Sequence, residues 1–370
     1  MTSNGLEGVV VADTQLSDVA GELGRLVIRG HDVEALALAN DFEAVCALLW
    51  NGALPGPAEH AELRARLGRA RVRAFGRLPY LGDSLEGADG MESLRAALAH
   101  LRASALDPAD VHVELTAAVA VFAAAWARKR RGVSALAPDP SLSHAADYLR
   151  MASAHGSDPA RSRALDAYLV TAADHGMNAS TFTARVVAST ASDTVSAIVA
   201  ALGALKGPLH GGAPGPVLQM LDEIGAPERA AEWIDAELAA GRRIMGMGHR
   251  VYRVRDPRAA VLERAVERLR TAGLRSDRLD LARAVEAVAV ASLGERRPER
   301  RLAANVEFYT AVILDAIGLP QELFSPTFAV ARVAGWLAHV DEQTRNGRLI
   351  RPASRYVGPA PVTPVAPVAA

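Results

Sequence analysis

Apolar residues recur at helical spacing almost end to end in this 370-residue chain. The segment DPADVHVELTAAVAVFAAAWARKRRG (107–132) opens on acids and a proline and closes on a basic turn and a glycine, the polarity of a helix. SLSHAADYLRMASAHG (141–156) starts on a serine cap and stops on a glycine, and SDTVSAIVAALGALKG (192–207) does the same. DPRAAVLERAVERLRTAG (256–273) has Asp256 as cap and Pro257 in its first turn. TFAVARVAGWLAHVDEQTRNG (327–347) predicts a further helix. A strand signal is confined to one short pair, GVVVADTQLSDVAG and GRLVIRG (8–30), around a polar turn. No fixed repeat period shows. The pattern predicts a mostly α protein whose tail, VGPAPVTPVAPVAA (357–370), holds too much proline for helix.

Composition sharpens that picture. Half of the residues are apolar but only 5% aromatic, and the abundance of alanine, leucine and arginine favours helix over sheet. The length allows a sizeable core in two domains or one large one. A net charge of −1 supplies no global attraction for nucleic acid or an acidic membrane. The basic stretch RARLGRARVRAFGR (64–77) sets its arginines between apolar residues at helical spacing and reads as a solvated helix face. A single cysteine, Cys46, excludes an internal disulfide and a zinc site of several thiolates; within FEAVCALLW it reads as a small core residue. The longest apolar run, LTAAVAVFAAAWA (115–127), is short for a bilayer span. The opening MTSNGLEGVV has no basic leader region, so a soluble, cytoplasmic protein is expected.

Candidate chemistry sits where the sequence departs from plain helix packing. ADHGMNAST (173–181) holds His175 just before a helix capped by Asn178. GPLHGGAPG (207–215) sets His210 among glycines and prolines, where a bare backbone permits close approach of another molecule. GMGHRVYRVRDPRA (246–259) carries His249 and then Arg253, Arg255 and Arg258; NVEFYTAV (305–312) places Glu307 on the first turn of a helix capped by Asn305. Arg332 interrupts an apolar helix stripe, and Arg351 follows in LIRPASRY. Each has a bland reading, as a snorkelling arginine, a helix-dipole acid or an ordinary cap. GMGHRV lacks the third glycine of a dinucleotide fingerprint, and the histidines lack the i,i+4 spacing of a helical metal site.

In combination these segments resemble the citrate synthase family. GPLHGGA, GMGHRVYRVRDPRA, NVEFYTAVILDAIGLP and FSPTFAVARVAGWLAHVDEQ stand in the family's order, after an opening GLEGVVVADTQLSDVAGELGRLVIRGHDVEALA and the segment DHGMNASTFTARVVAST. The resemblance runs from about residue 5 to 358. It implies a mostly α citrate synthase fold, with a large helical domain (1–210 and 316–358) and a smaller one (211–315) closing over the active site, followed by a tail (359–370). The reaction implied is condensation of acetyl-CoA with oxaloacetate and hydrolysis of citryl-CoA. Propionyl-CoA, giving 2-methylcitrate, is the alternative; a catalytically inactive relative that only binds oxaloacetate or acyl-CoA is another.

By the same resemblance Glu307 is the base, His210 the donor that stabilises the enolate, and His249 the group that polarises the oxaloacetate ketone. His175, Arg258, Arg332 and Arg351 would hold oxaloacetate, whose two carboxylates suit forked guanidinium groups. Arg351 would reach the neighbouring site of a homodimer. Arg253 would contact CoA phosphate, with Gly246, Met247 and Gly248 against the nucleotide end. Asn305 would either position His249 or cap the Glu307 helix. No cofactor or metal is implied, and no nucleic acid or membrane partner. The chain departs from the family in NVEFY, where aspartate is usual, in GAP for GAN after His210, and in Met247 for an aromatic residue. The extra methylene of Glu307 could shift the carboxylate by about 1.5 Å, while the helix start favours its ionised form.

Overall fold

A computed structural model describes residues 5–359 apart from 7, 154, 155, 157, 211–213, 249–251, 253, 275, 276 and 297–301. The chain opens with three antiparallel strands, β1 (Ser17–Ala20), β2 (Arg25–Ile28) and β3 (His31–Asp32), in that spatial order. Ser17 pairs with Ile28 and Val27 with Asp32. Alternation sets the register: Leu26 and Ile28 enter the core while Arg25 stays in solvent. Pairing is thus narrower than the strand pair expected over 8–30, and a third strand is added where the chain doubles back at Arg29–Gly30, both with positive φ.

Helices make up most of the remaining chain: α1 (Val33–Ala39), α2 (Phe42–Asn51), α3 (Pro57–Gly76), α4 (Gly90–Ala99), α5 (Val111–Arg130), α6 (His144–Ala152) and α7 (Pro159–Ala172). After them come α8 (Ala179–Ala188), α9 (Thr194–Leu205), α10 (Pro214–Ile224), α11 (Ala230–Ala239) and α12 (Pro257–Thr271). The last three are α13 (Asp277–Arg296), α14 (Val306–Ala316) and α15 (Phe324–Asn346). Side-chain caps explain several starts. Asp256 accepts from the first turn of α12 as the sequence predicts, whereas α9 is capped by Asp193, whose carboxylate accepts from the Ser196 N–H, and not by the expected serine at 192. The helix expected from 141 begins later because Ser143 caps it, while Ser141 is bonded to Asp139 instead.

Two helices carry the core. The alanine-rich α5 lets α3, α4, α6 and α15 approach closely, and it is buried from Val113 to Ala127. At 20 residues and a mean hydropathy of 1.3 it is long and apolar enough to cross a membrane, yet 83% of that stretch is buried inside the fold. Burial, rather than the shortness of the apolar run, makes it a core helix. The second, α15, packs on α2, α5, α7, α8 and α9. Farther along, α12 packs on α14 and α7, α10 on α14, and α11 on α13. Cys46 is buried in α2, as expected.

The arginine face of α3 differs from the solvated reading. Arg69 and Arg73 are exposed, but Arg71 is fully buried, its Nε 2.7 Å from Asp147 of α6 and its Nη2 2.8 Å from the Leu142 carbonyl. A buried guanidinium needs a partner charge, and Asp147, 76 residues away, is one that local pattern could not reveal.

Candidate active site

A cavity of about 940 Å³ opens where the 173–180 loop, the end of the turn after α9, and the starts of α12, α14 and α15 meet. His175, His210, Arg258, Glu307 and Arg332 all line it. Five of the residues singled out in the sequence, from five separate segments, therefore share one enclosure. Leu6, Val9 and Val11 of the N-terminal stretch add an apolar wall.

His210 ends a turn closed by its own N–H on the Gly207 carbonyl at 2.9 Å. Its ring meets Phe328 edge-on, and Nε2 lies 3.3 Å from the Ser180 backbone N–H and 2.8 Å from the Ser180 hydroxyl. A backbone N–H can only donate, so Nε2 accepts and the ring proton belongs on Nδ1. Ser180 is held in turn by Trp336 Nε1, which donates to its Oγ at 3.0 Å, and its single hydroxyl proton has two acceptors within 2.8 Å, His210 Nε2 and Asn178 Oδ1. Burial, with Arg332 adding to it, pulls the imidazole down to about 4. At neutral pH His210 is a neutral hydrogen-bond donor.

Glu307 occupies the first turn of α14, where Asn305 Oδ1 caps its N–H at 3.0 Å. By position alone the helix start would keep this carboxylate ionised. Burial outweighs it: the carboxyl is pushed up to about 7, with Arg258 and Arg332 pulling down and Asp256 pushing up. Asn305 does more than cap, because its Nδ2 donates to the Gly248 carbonyl at 2.8 Å. The 246–248 segment pairs with 303–305, through Gly248 N to Ala303 O at 2.8 Å and Asn305 N to Gly246 O at 2.9 Å. Gly246 has φ +75, and a Cβ there would sit 2.9 Å from Phe308, so only glycine lets this strand lie flush on α14. Gly246, Met247 and Gly248 lie beside the start of the Glu307 helix and do not line the cavity. His249 and Arg253 fall outside the described residues.

The two arginines of the cavity are held differently. Arg258 forks onto Asp256, Nε to Oδ1 at 3.0 Å and Nη2 to Oδ2 at 2.8 Å. Arg332 donates Nε to the Ala172 carbonyl at 2.6 Å and stacks on Phe328 with its Cζ 4.8 Å from the ring centre. Its buried Nη2 has no acceptor among the described residues. Burial, more than offsetting Asp174, lowers it to about 10, so it is still charged at neutral pH. Two buried cations beside one committed aspartate, one of them with an unmet donor, call for an anionic guest. The snorkelling alternative for Arg332 fails, since the side chain is buried.

His175 stands in the loop between α7 and α8, Nε2 3.2 Å from the Tyr252 hydroxyl. The loop is pressed against α15, where a Cβ at Gly335 would come within 2.3 Å of the Ala173 carbonyl. Sequence reasoning missed Tyr252, Ser180, Asp174 and Trp336; only Ser180 had a local signal, its place two residues after the Asn178 cap. Arg351 is exposed and lines a neighbouring cavity of about 630 Å³ with Arg185 and Glu342, not the one that holds Glu307. Among the described residues no group of three His, Cys, Asp or Glu side chains is placed to hold a metal ion.

A helical fold with a buried carboxyl group, a neutral imidazole and an unmet guanidinium donor around one cavity fits an enzyme for a small anionic substrate. Known proteins specify which. The profile of the family described as "Citrate synthase, C-terminal domain" matches residues 5–353. A citrate synthase of Haloferax volcanii is 40% identical, covering 96% of this chain and 95% of that protein. A 2-methylcitrate synthase of Mycobacterium tuberculosis is 37% identical over 96% and 90% of the two chains. The citrate synthase of Thermoplasma acidophilum, solved in a ternary complex with oxaloacetate and carboxymethyl coenzyme A, superposes with a TM-score of 0.86 at 28% identity, covering 99% of both chains. This chain belongs to the citrate synthase family, and the expected mostly α fold is the one it has.

Proposed function

We propose that the protein condenses acetyl-CoA with oxaloacetate and hydrolyses the resulting citryl-CoA to citrate and CoA. The observation that supports this best is the shared cavity of Glu307, His210, Arg258 and Arg332. A carbon acid beside a thioester is very weak, so its proton leaves only if charge is met at the thioester oxygen as it develops. Glu307, with its carboxyl near 7, is matched to neutral pH as the base. His210, neutral and with Nδ1–H unclaimed by Ser180, is the donor for the enolate oxygen. Arg258, Arg332 and His175 take the carboxylates and polar edge of oxaloacetate, and His249 polarises its ketone. Arg253 and the 246–248 strand take the CoA end.

Closure of 211–315 over the rest of the chain excludes water until condensation is complete. Arg351 serves the site of a second copy, which accords with its exposure and its place outside the Glu307 cavity. A relative named 2-methylcitrate synthase is nearly as similar as those named citrate synthase, and one methylene is worth only about 1–3 kcal/mol in a pocket. Acetyl-CoA and propionyl-CoA are therefore assayed side by side, following thiol release with oxaloacetate. Faster turnover of acetyl-CoA supports the reading, a preference for propionyl-CoA replaces it with the 2-methylcitrate reaction, and no thiol from either overturns it.

A further inference from the structure

We propose that Ser17 is a positioning residue for His175, acting across the fold through the two residues that flank it. The Ser17 hydroxyl donates to Asp174 Oδ2 and accepts from the Gly176 N–H at 2.9 Å. One side chain from β1 thus ties down the residue before His175 and the residue after it, more than 150 residues along the chain. The loop's own backbone bonding is short-range by contrast, as in Asn178 N to the Gly176 carbonyl at 2.9 Å.

The tether is stiff at its origin. Ser17 pairs with Ile28, whose side chain is buried in the core, and Val19 of the same strand packs over Gly176. It is also stiff at its target. Asp174 is fully buried, and its other oxygen lies 3.2 Å from His339 Nε2 of α15. Arg185 donates to His339 Nδ1 at 3.0 Å, which leaves the imidazole proton on Nε2, next to the carboxylate. Asp174 is held ionised: His339, Arg332 and the Ser17 hydroxyl outweigh the cost of its burial. A buried carboxylate bonded by Ser17 on one oxygen and packed against an imidazole on the other has little room to drift, and His175, the next residue, inherits that fixity. Removing Ser17 Oγ leaves a backbone N–H without its partner and the carboxylate with one fewer donor.

This inference rests on His175 being a contact for oxaloacetate, so the test is read on that ligand. Oxaloacetate binding by calorimetry and its KM in the thiol-release assay are measured for the wild type, Ser17→Ala, Ser17→Thr, His175→Ala and the double variant Ser17→Ala/His175→Ala. Ser17→Ala is expected to weaken oxaloacetate about tenfold, the weight of one charge-assisted hydrogen bond, with the KM for acyl-CoA unchanged. Ser17→Thr, which keeps the hydroxyl, retains affinity within about threefold by the same reasoning. In the His175→Ala background the Ser17→Ala loss disappears, because there is no imidazole left to aim.

An equal loss in both backgrounds shows a general structural effect and overturns the proposal, as does full affinity in Ser17→Ala. A wild type that binds oxaloacetate but releases no thiol overturns the proposed reaction alone, and the Ser17 comparison is then read from the binding constants. A wild type that binds no oxaloacetate overturns both.

Discussion

The wall of the cavity built from the 173–180 loop and α15 is held by hydrogen bonds between distant segments: Ser17 on Asp174, Trp336 on Ser180, Arg332 on the Ala172 carbonyl. The wall built from the starts of α12 and α14 is different. There Asp256, Arg258 and Glu307 answer chiefly to one another, and the charges of the first two act on the protonation of the third. The same low dielectric acts on both walls with opposite sign. It drives the His210 imidazole down to about 4 and the Glu307 carboxyl up to about 7, so each is pushed towards its neutral form. For the imidazole, neutrality is what a hydrogen-bond donor needs. For the carboxylate, the same push makes a stronger base at the cost of a smaller ionised fraction. Under the proposed reaction, one wall serves placement and the other proton transfer.

Glu307→Gln strikes the proton-transfer wall directly. It should lower condensation by about a thousandfold, in the range of general base catalysis, while calorimetry finds oxaloacetate affinity within about threefold of wild type, since only a base is lost. Comparable turnover in the variant would move the base elsewhere. Next in size, and on the placement wall, Arg332→Leu should weaken oxaloacetate about a hundredfold, because a buried donor that a carboxylate would satisfy is removed. Unchanged binding there would mean that the unmet Nη2 is not the anion contact.

The mildest test varies pH. The log of kcat/KM should fall by one for each pH unit below about 7 as Glu307 takes up a proton. His210, at about 4, adds no second limb above pH 5. Stability should run the other way. Folded Glu307 holds its proton to about 7 while the unfolded chain releases it near 4.5, so the native state binds more protons between those values and stability falls as pH rises through them. Glu307→Gln escapes that loss. Urea unfolding should find it more stable than wild type by roughly 1–3 kcal/mol at pH 8 and equal to it at pH 4. Equal stability at both pH values would place the carboxylate in water.

How much of this is legible in the sequence depends on whether the cause is local. Caps at Asn178, Asp256 and Asn305 are each decided within a few residues, and the structure has all three, while the cap of α9 falls one residue past the expected serine, on Asp193. The cavity residues His175, His210, Arg258, Glu307 and Arg332 emerge as a set because their ordered segments resemble a family, not because any one of them stands out. The features hidden from the sequence depend on pairs far apart in the chain. Arg71 reads as solvated because Asp147 lies 76 residues on. Glu307 reads as ionised because helix-start electrostatics are visible locally, whereas burial in a cavity that residues of α12 and α15 also line is not. Ser17 sits in a strand with nothing in the chain's pattern to connect it to His175.

At position 335 a hydrogen atom is all that keeps α15 from colliding with the Ala173 carbonyl. That glycine works as a shim of zero thickness between α15, the longest helix among the described residues, and the loop that carries His175. A larger residue there should displace the loop without removing a single charged group, and, if His175 holds oxaloacetate as proposed, that gives an engineer a mechanical control over its affinity which leaves the reacting groups chemically intact.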